Sequence, residues 1–373
     1  MSEYSAEAIE ILRLLKDRHN VLLSGPPGTG KSRLLNEVAR AFRGEVRSGP
    51  VHVPGAKIPI PKTPPVSSKI RSSLPSPAQT EREVFRTVFH QNSKHRDFIS
   101  GLVPDVGPGG TTTRFKVVAG TLFRASEHAS KPSGASLLLI DEINRGPAVQ
   151  LFGGSIVAIE SDKRRLPDGS PGPETQSFEL LDPATGETRE YSLPHSLYIL
   201  AAMNQADSSV EPLDVAFLRR WAPFRLEPSL KTLHEFFGIS SASASLPETP
   251  TRPGEVYDAT VRAWAAVNDR IRRGRGPEFQ IGHGVLMGAK PKTTVPDALQ
   301  DAAEAWRMLR AHVDEVFFGD LRGVATALNV GATEKHLYEL KDTVFGDEPR
   351  LELTGPDAVE PDKVFELLRA VAT

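Results

Sequence analysis

Gly25-Pro26-Pro27-Gly28-Thr29-Gly30-Lys31-Ser32 decides how this chain is read. The octet fits G-x-x-x-x-G-K-[ST]. It follows the short apolar run Val21-Leu22-Leu23 and opens a stretch, residues 32–42, with helical periodicity. A strand, a glycine-rich loop and a helix in that order are the context such a loop needs. The glycines let backbone N–H groups converge on phosphate oxygens at a helix N-terminus. Lys31 then places a positive charge on the β- and γ-phosphates of a nucleotide, and the Ser32 hydroxyl can ligate Mg²⁺. Upstream, Ala8, Ile9, Leu12 and Leu15 recur at helical spacing and predict a short lead-in helix.

Two further apolar runs have the length and flanks of buried strands. The first, Leu137-Leu138-Leu139-Ile140, ends in Asp141-Glu142. At that place Asp141 can hold Mg²⁺, directly or through water, and Glu142 can polarise an attacking water. An acid pair at a strand end is as readily a solvated turn, so this signal draws its strength from coexisting with Lys31. The second run, residues 197–203, ends at Asn204, whose amide is placed to hold the nucleophilic water near the γ-phosphate. A helix-compatible stretch, residues 149–160, lies between the two runs, and alternation of strand and helix predicts a parallel α/β sheet. Further on, Arg219-Arg220 follow the helix-like Val215-Ala216-Phe217-Leu218; a guanidinium there can reach a nucleotide held by a neighbouring subunit, or be a solvated basic pair.

Composition bounds the alternatives. At 373 residues the chain exceeds the size at which one hydrophobic core usually stops growing, so two packed units are expected. Lys+Arg 45 against Asp+Glu 47 leaves a net charge of -2, so a polyanion partner must be met by a local basic patch. The absence of cysteine rules out disulfides, thiolate zinc sites and a cysteine nucleophile, and fits a cytoplasmic protein. Glu3, Glu7 and Glu10 interrupt the N-terminus, unlike a secretory apolar core, and no apolar run approaches a membrane span, so no membrane partner is expected.

Prolines punctuate the first half. Seven of them fall between Pro54 and Pro77, and residues 46–80 carry Arg47, Lys57, Lys62, Lys69 and Arg71 without an acid. This basic insertion can meet DNA, an acidic partner or only solvent. Turn residues crowd residues 162–194 and separate short alternating stretches, which predicts an inserted β-hairpin. Beyond Leu226 the pattern is mostly helical, so the domains are drawn at 1–228, an α/β nucleotide-binding unit, and 229–373, a helical lid.

The motifs resemble those of AAA+ ATPases, and within them the McrB-type restriction NTPases, with MoxR-like proteins as near relatives. Residues 89–104 (FHQNSKHRDFISGLVP), 120–123 (GTLF), 140–145 (IDEINR), 203–209 (MNQADSS), 218–221 (LRRW), 279–283 (FQIGH) and 315–320 (EVFFGD) are each similar to a family stretch, in order along most of the chain. The resemblance implies an α/β AAA+ P-loop NTPase: a parallel sheet flanked by helices, a hairpin inserted before the sensor strand, and a C-terminal helical lid. It also implies assembly into a homo-oligomeric ring, expected to be a hexamer. Such rings hydrolyse NTP and work with a partner, typically a McrC-like nuclease, with DNA engaged indirectly or through the ring channel.

Carried over position by position, the nucleotide-binding residues are Gly25, Pro26, Pro27, Gly28, Thr29, Gly30, Lys31, Ser32 and Leu34. Ser32 and Asp141 hold Mg²⁺, Lys31 and Glu142 serve catalysis, Asn204 is sensor 1, and Arg219 and Arg220 are arginine-finger candidates. Asp207 belongs to the signature loop, while His283 is either functional or a histidine packed in the lid. Gln205 and Ser208 depart from the family pattern in that loop, which leaves ATP or GTP open as substrate. With the loop lysine already at position 31, DNA readout is expected to lie elsewhere than in an N-terminal domain of this chain. A MoxR-like chaperone ATPase acting on a protein client is the alternative.

Overall fold

The computed structural model describes residues 4–45, 72–106, 113–206, 213–239, 245–288, 290–331, 333 and 336–373. Most of the basic insertion, and Asp207 and Ser208 of the signature loop, lie outside the described residues. The chain divides into two units. One comprises residues up to Ser24 and Lys31–Arg225, and the other Gly25–Gly30 and Leu226–Thr373. Among the described residues, no helix is long and apolar enough to cross a membrane.

The first unit is built on a five-stranded sheet. Its strands are β1 (Asn20–Ser24), β2 (Glu81–Val88), β5 (Gly134–Asp141), β8 (Leu197–Ala202) and β9 (Ala222–Arg225), in the order β2-β5-β8-β1-β9. Every pairing is parallel. The central β1 and β8 are buried throughout and β5 nearly so, which is why they read as unbroken apolar runs. The edge strands escaped that reading. In β2, Glu-Arg-Glu-Val-Phe-Arg-Thr-Val alternates exposed and half-buried positions, and β9 has only four residues and contains Pro223, which an edge tolerates.

Helices Ala6–Arg18, Lys31–Arg43 and Thr121–Ala129 pack against this sheet. The stretch expected as one helix is instead two short ones, Ala148–Phe152 and Ser155–Ala158, because Gly153 turns the chain with φ 49° between them. A T-shaped aromatic cluster, Phe89, Phe98, Phe152, Phe217 and Trp221, fills one side of the core.

Two antiparallel ribbons leave this frame. β3 (Ser100–Val106) pairs with β4 (Thr113–Ala119), a ribbon the motif reading had not resolved into strands. β6 (Phe178–Leu181) pairs with β7 (Thr188–Tyr191), the hairpin expected before the strand that ends at Asn204. That insertion is anchored by Arg164. The residue is 2% exposed, and its guanidinium donates to Asn20 Oδ1 at 2.6 Å, to the Ile159 carbonyl at 3.0 Å and to the Leu197 carbonyl, so one cation ties the insert to the starts of β1 and β8. Burial lowers its pKa to about 9.

The second unit is mainly helical: Leu230–Phe237, Pro253–Gly274, Val295–Val316, Leu321–Ala327 and Pro361–Ala372. Trp264, Val267, Trp306, Leu309, Phe365 and Leu368 are among the residues that fill its core. A hairpin of β10 (Glu339–Phe345) and β11 (Glu348–Thr354) also belongs to it, with a solvent-facing tip at Val344 and Phe345; the helical expectation had no place for this ribbon.

Candidate nucleotide site

Parallel strands bring their carboxyl ends to one edge. The register sets Ile140 beside Ala201 and Leu23 beside Ala202, so the carboxyl ends of β1, β5 and β8 lie together. After β1 comes the loop Gly25–Gly30. Gly28 and Gly30 hold φ of 77° and 88°, which L side chains rarely adopt, and the buried Thr29 donates from its hydroxyl to the Pro26 carbonyl at 2.8 Å. The loop is therefore pinned into a tight curve from within. Lys31 and Ser32 open the next helix, with Ser32 exposed and Leu34 buried, so Leu34 offers its side chain to packing.

Burial pulls the Lys31 ammonium down to about 8, with Glu142 and Asp141 opposing that shift. A partly desolvated cation beside two carboxylates is poised for a third source of negative charge, which a polyphosphate supplies. Glu142 itself sits in the left-handed region, φ 52° and ψ 47°, an uncommon conformation for a non-glycine residue that is costly to maintain. Its N–H donates to Asp141 Oδ1 at 3.1 Å, and its Oε1 accepts from Asn204 Nδ2 at 2.6 Å. The carboxylate read as catalytic and the amide read as sensor are thus in direct contact, 62 positions apart.

Sequence reasoning missed the residue that arranges this contact. Asn144 is 7% exposed and donates from Nδ2 to the Asn204 main-chain carbonyl at 2.8 Å, fixing the end of β8 to the turn after β5. Its only signal was its place in the IDEINR stretch. Arg145 lies beside Glu142, Nε to Oε2 at 3.5 Å, and adds a further positive charge. Asp141 and Ser32 offer oxygens, the donor type that Mg²⁺ would take.

The two arginines separate. Arg220 is folded back: its side chain is 7% exposed, with Nε 2.9 Å from Glu160 and a further donation to the Ala216 carbonyl. Arg219, one residue earlier, is exposed at the end of the helix Val215–Leu218. Arg220→Ala is expected to lower stability by about 1–3 kcal/mol, because half-buried Glu160 loses its buried partner. A melting temperature equal to wild type would show that the pair contributes nothing.

No family model matches the chain. It is 26% identical over 313 residues to the type IV methyl-directed restriction enzyme EcoKMcrB subunit of Escherichia coli K12, covering 83% of this chain and 56% of that protein. It is 29% identical over 213 residues to the type II restriction enzyme BsuMI component YdiS of Bacillus subtilis 168, covering 54% of this chain and 55% of that protein. The chain therefore spans about half the length of the curated relatives it matches. Among solved structures, an ATPase candidate from Cytophaga hutchinsonii (14% identity, TM-score 0.34, 83% of this chain and 77% of that one) and NtrX from Brucella abortus (13%, 0.31, 87% and 65%) match only distantly, so the fold rests on the strand order given above. The resemblance to McrB-type AAA+ proteins is borne out at the level of sequence.

Proposed function

We propose that this McrB-type AAA+ chain is the NTP-hydrolysing motor of a McrBC-like restriction or antiviral defence system. In this reading it assembles into a ring, expected to be hexameric, and couples hydrolysis of ATP or GTP to DNA translocation or to control of a nuclease partner. The observation that carries the reading is the 2.6 Å bond from Asn204 to Glu142 beside a partly desolvated Lys31. A structural acid has no need of a left-handed backbone and an amide tether, whereas an acid that must face a water in one orientation does.

Lys31 neutralises phosphate charge, Glu142 and Asn204 orient the water, and Arg219 of a neighbouring subunit completes the site. Ser32 and Asp141 would hold Mg²⁺, which would supply electrostatic stabilisation of the transferring phosphoryl oxygens. Little covalent chemistry is asked of the protein, so positions and charges carry the rate. The alternative, a MoxR-like chaperone, uses the same hydrolytic parts on a protein client.

The test is hydrolysis of ATP and GTP side by side, by the protein alone, with DNA, and with the product of the adjacent gene. Strong stimulation by a nuclease-like neighbour is the expected result. Turnover indifferent to both neighbour and DNA would favour the chaperone.

A further inference from the structure

We infer that the turn at residues 281–284 is the positioning element of the phosphate-binding loop, an inference that rests on the nucleotide reading above. Within the second unit the Gly282 N–H donates to the Pro27 carbonyl at 2.8 Å, and the Gly284 N–H donates to the Gly28 carbonyl at 2.8 Å. A trans peptide points its C=O and the following N–H in opposite directions. Holding the carbonyls of Pro27 and Gly28 against the turn therefore aims the N–H groups of Gly28 and Thr29 away from it. Two of the amides that would cradle phosphate are thus oriented by a segment more than 250 residues further along the chain.

The turn is rigid enough to act this way because it is held from behind. The Ile281 carbonyl accepts from Trp264 Nε1 at 3.0 Å and from Asn268 Nδ2 at 2.9 Å, and the Ile281 N–H donates to Asn268 Oδ1 at 2.6 Å. All three residues are buried. From the side, His283 Nδ1 accepts from the Ser229 N–H at 3.2 Å, and Ser229 caps the helix Leu230–Phe237. A hydrogen-bonded chain thus runs from the helix Pro253–Gly274 through Ile281 to the loop, and His283 serves as one of its stays.

The approach of the two backbones leaves no room for side chains. A Cβ on Gly282 would overlap Gly28 C and Thr29 N, one on Gly284 would lie 2.7 Å from Gly28 O, and one on Gly28 would lie 2.9 Å from Val285 Cγ2. The main-chain groups of loop and turn satisfy one another in place of water, so displacing the turn frees the loop carbonyls to rotate. Gly282 and Gly284 are therefore positioning residues. Their role is to set where the loop amides point.

The experiment measures binding of a fluorescent ADP analogue together with KM and kcat in Gly282→Ala, Gly284→Ala and Gly288→Ala. Gly288 has no atom within 4 Å of a built Cβ and serves as the control. Gly282→Ala is expected to weaken ADP binding by about 10²-fold, the scale of an ångström-level misplacement. Gly284→Ala, with a single close contact, is expected to lose about tenfold, and Gly288→Ala to bind like wild type. Loop amides hold ground state and transition state alike, so the loss should fall on KM more than on kcat. If Gly282→Ala does not fold, Gly284→Ala carries the test. Unchanged ADP affinity in the folded variants, with or without a lower melting temperature, overturns the inference and leaves a purely structural turn. A wild-type chain that binds no nucleotide would instead defeat the nucleotide reading, and this inference with it.

Discussion

Glu142→Gln is expected to keep nucleotide binding and assembly while turnover falls by about 10²–10⁴-fold, the usual contribution of a positioned general base. The amide oxygen can still accept from Asn204 Nδ2, so the 2.6 Å contact survives and only the negative charge is lost. The loss should therefore appear in kcat, measured by single-turnover hydrolysis, and not in the dissociation constant at a pH low enough to keep Lys31 charged in both proteins. Wild-type turnover in this variant would remove Glu142 from the mechanism. A pH effect follows from the same geometry. Lys31 is held to about 8 by burial, and Glu142 is the larger of the two charges that oppose the shift. A lysine with a lowered pKa loses its proton as pH rises through that value, so nucleotide affinity should weaken between pH 7 and 9. Without the carboxylate the weakening should begin at lower pH, and an affinity flat across that range in both proteins would refute it.

Arg219→Ala is expected to have the larger effect, about 10³–10⁵-fold on turnover, if its guanidinium stabilises the transition state in the neighbouring subunit. The two arginines give a built-in comparison. Arg220 is committed to Glu160 and Ala216 within its own unit, so its loss should register as stability, whereas exposed Arg219 has no such structural role to lose. Mixing Arg219→Ala subunits with Lys31→Ala subunits, which keep Arg219, should restore part of the activity, because wherever an Arg219→Ala subunit supplies the binding site and a Lys31→Ala subunit the finger, an intact site meets an intact finger. Failure of every mixing ratio to restore turnover would place Arg219 outside a shared site.

The strands that carry the site were legible for a physical reason. β1, β5 and β8 are covered on both faces, so burial demands apolar residues at nearly every position and the chemistry-bearing residues stand out where the runs end. β2 and β9, at the sheet's edges, are relieved of that demand and wear the mixed patterns of surface segments. Gly153 likewise broke a helix whose periodicity gave no warning.

By itself, then, the sequence determined the chemical repertoire: a glycine loop with Lys31 and Ser32, the acids Asp141 and Glu142, Asn204, and a pair of arginines. Only the tertiary structure decided which of these groups meet. It joined Asn204 to Glu142, put Asn144 behind Asn204, turned Arg220 inward while leaving Arg219 exposed, and laid Gly282 and Gly284 against Pro27 and Gly28. Local pattern reports what a side chain can do and how its own segment is buried. The partner it finds, 60 or 250 residues away, depends on how separate elements pack, and no short window of sequence contains that information.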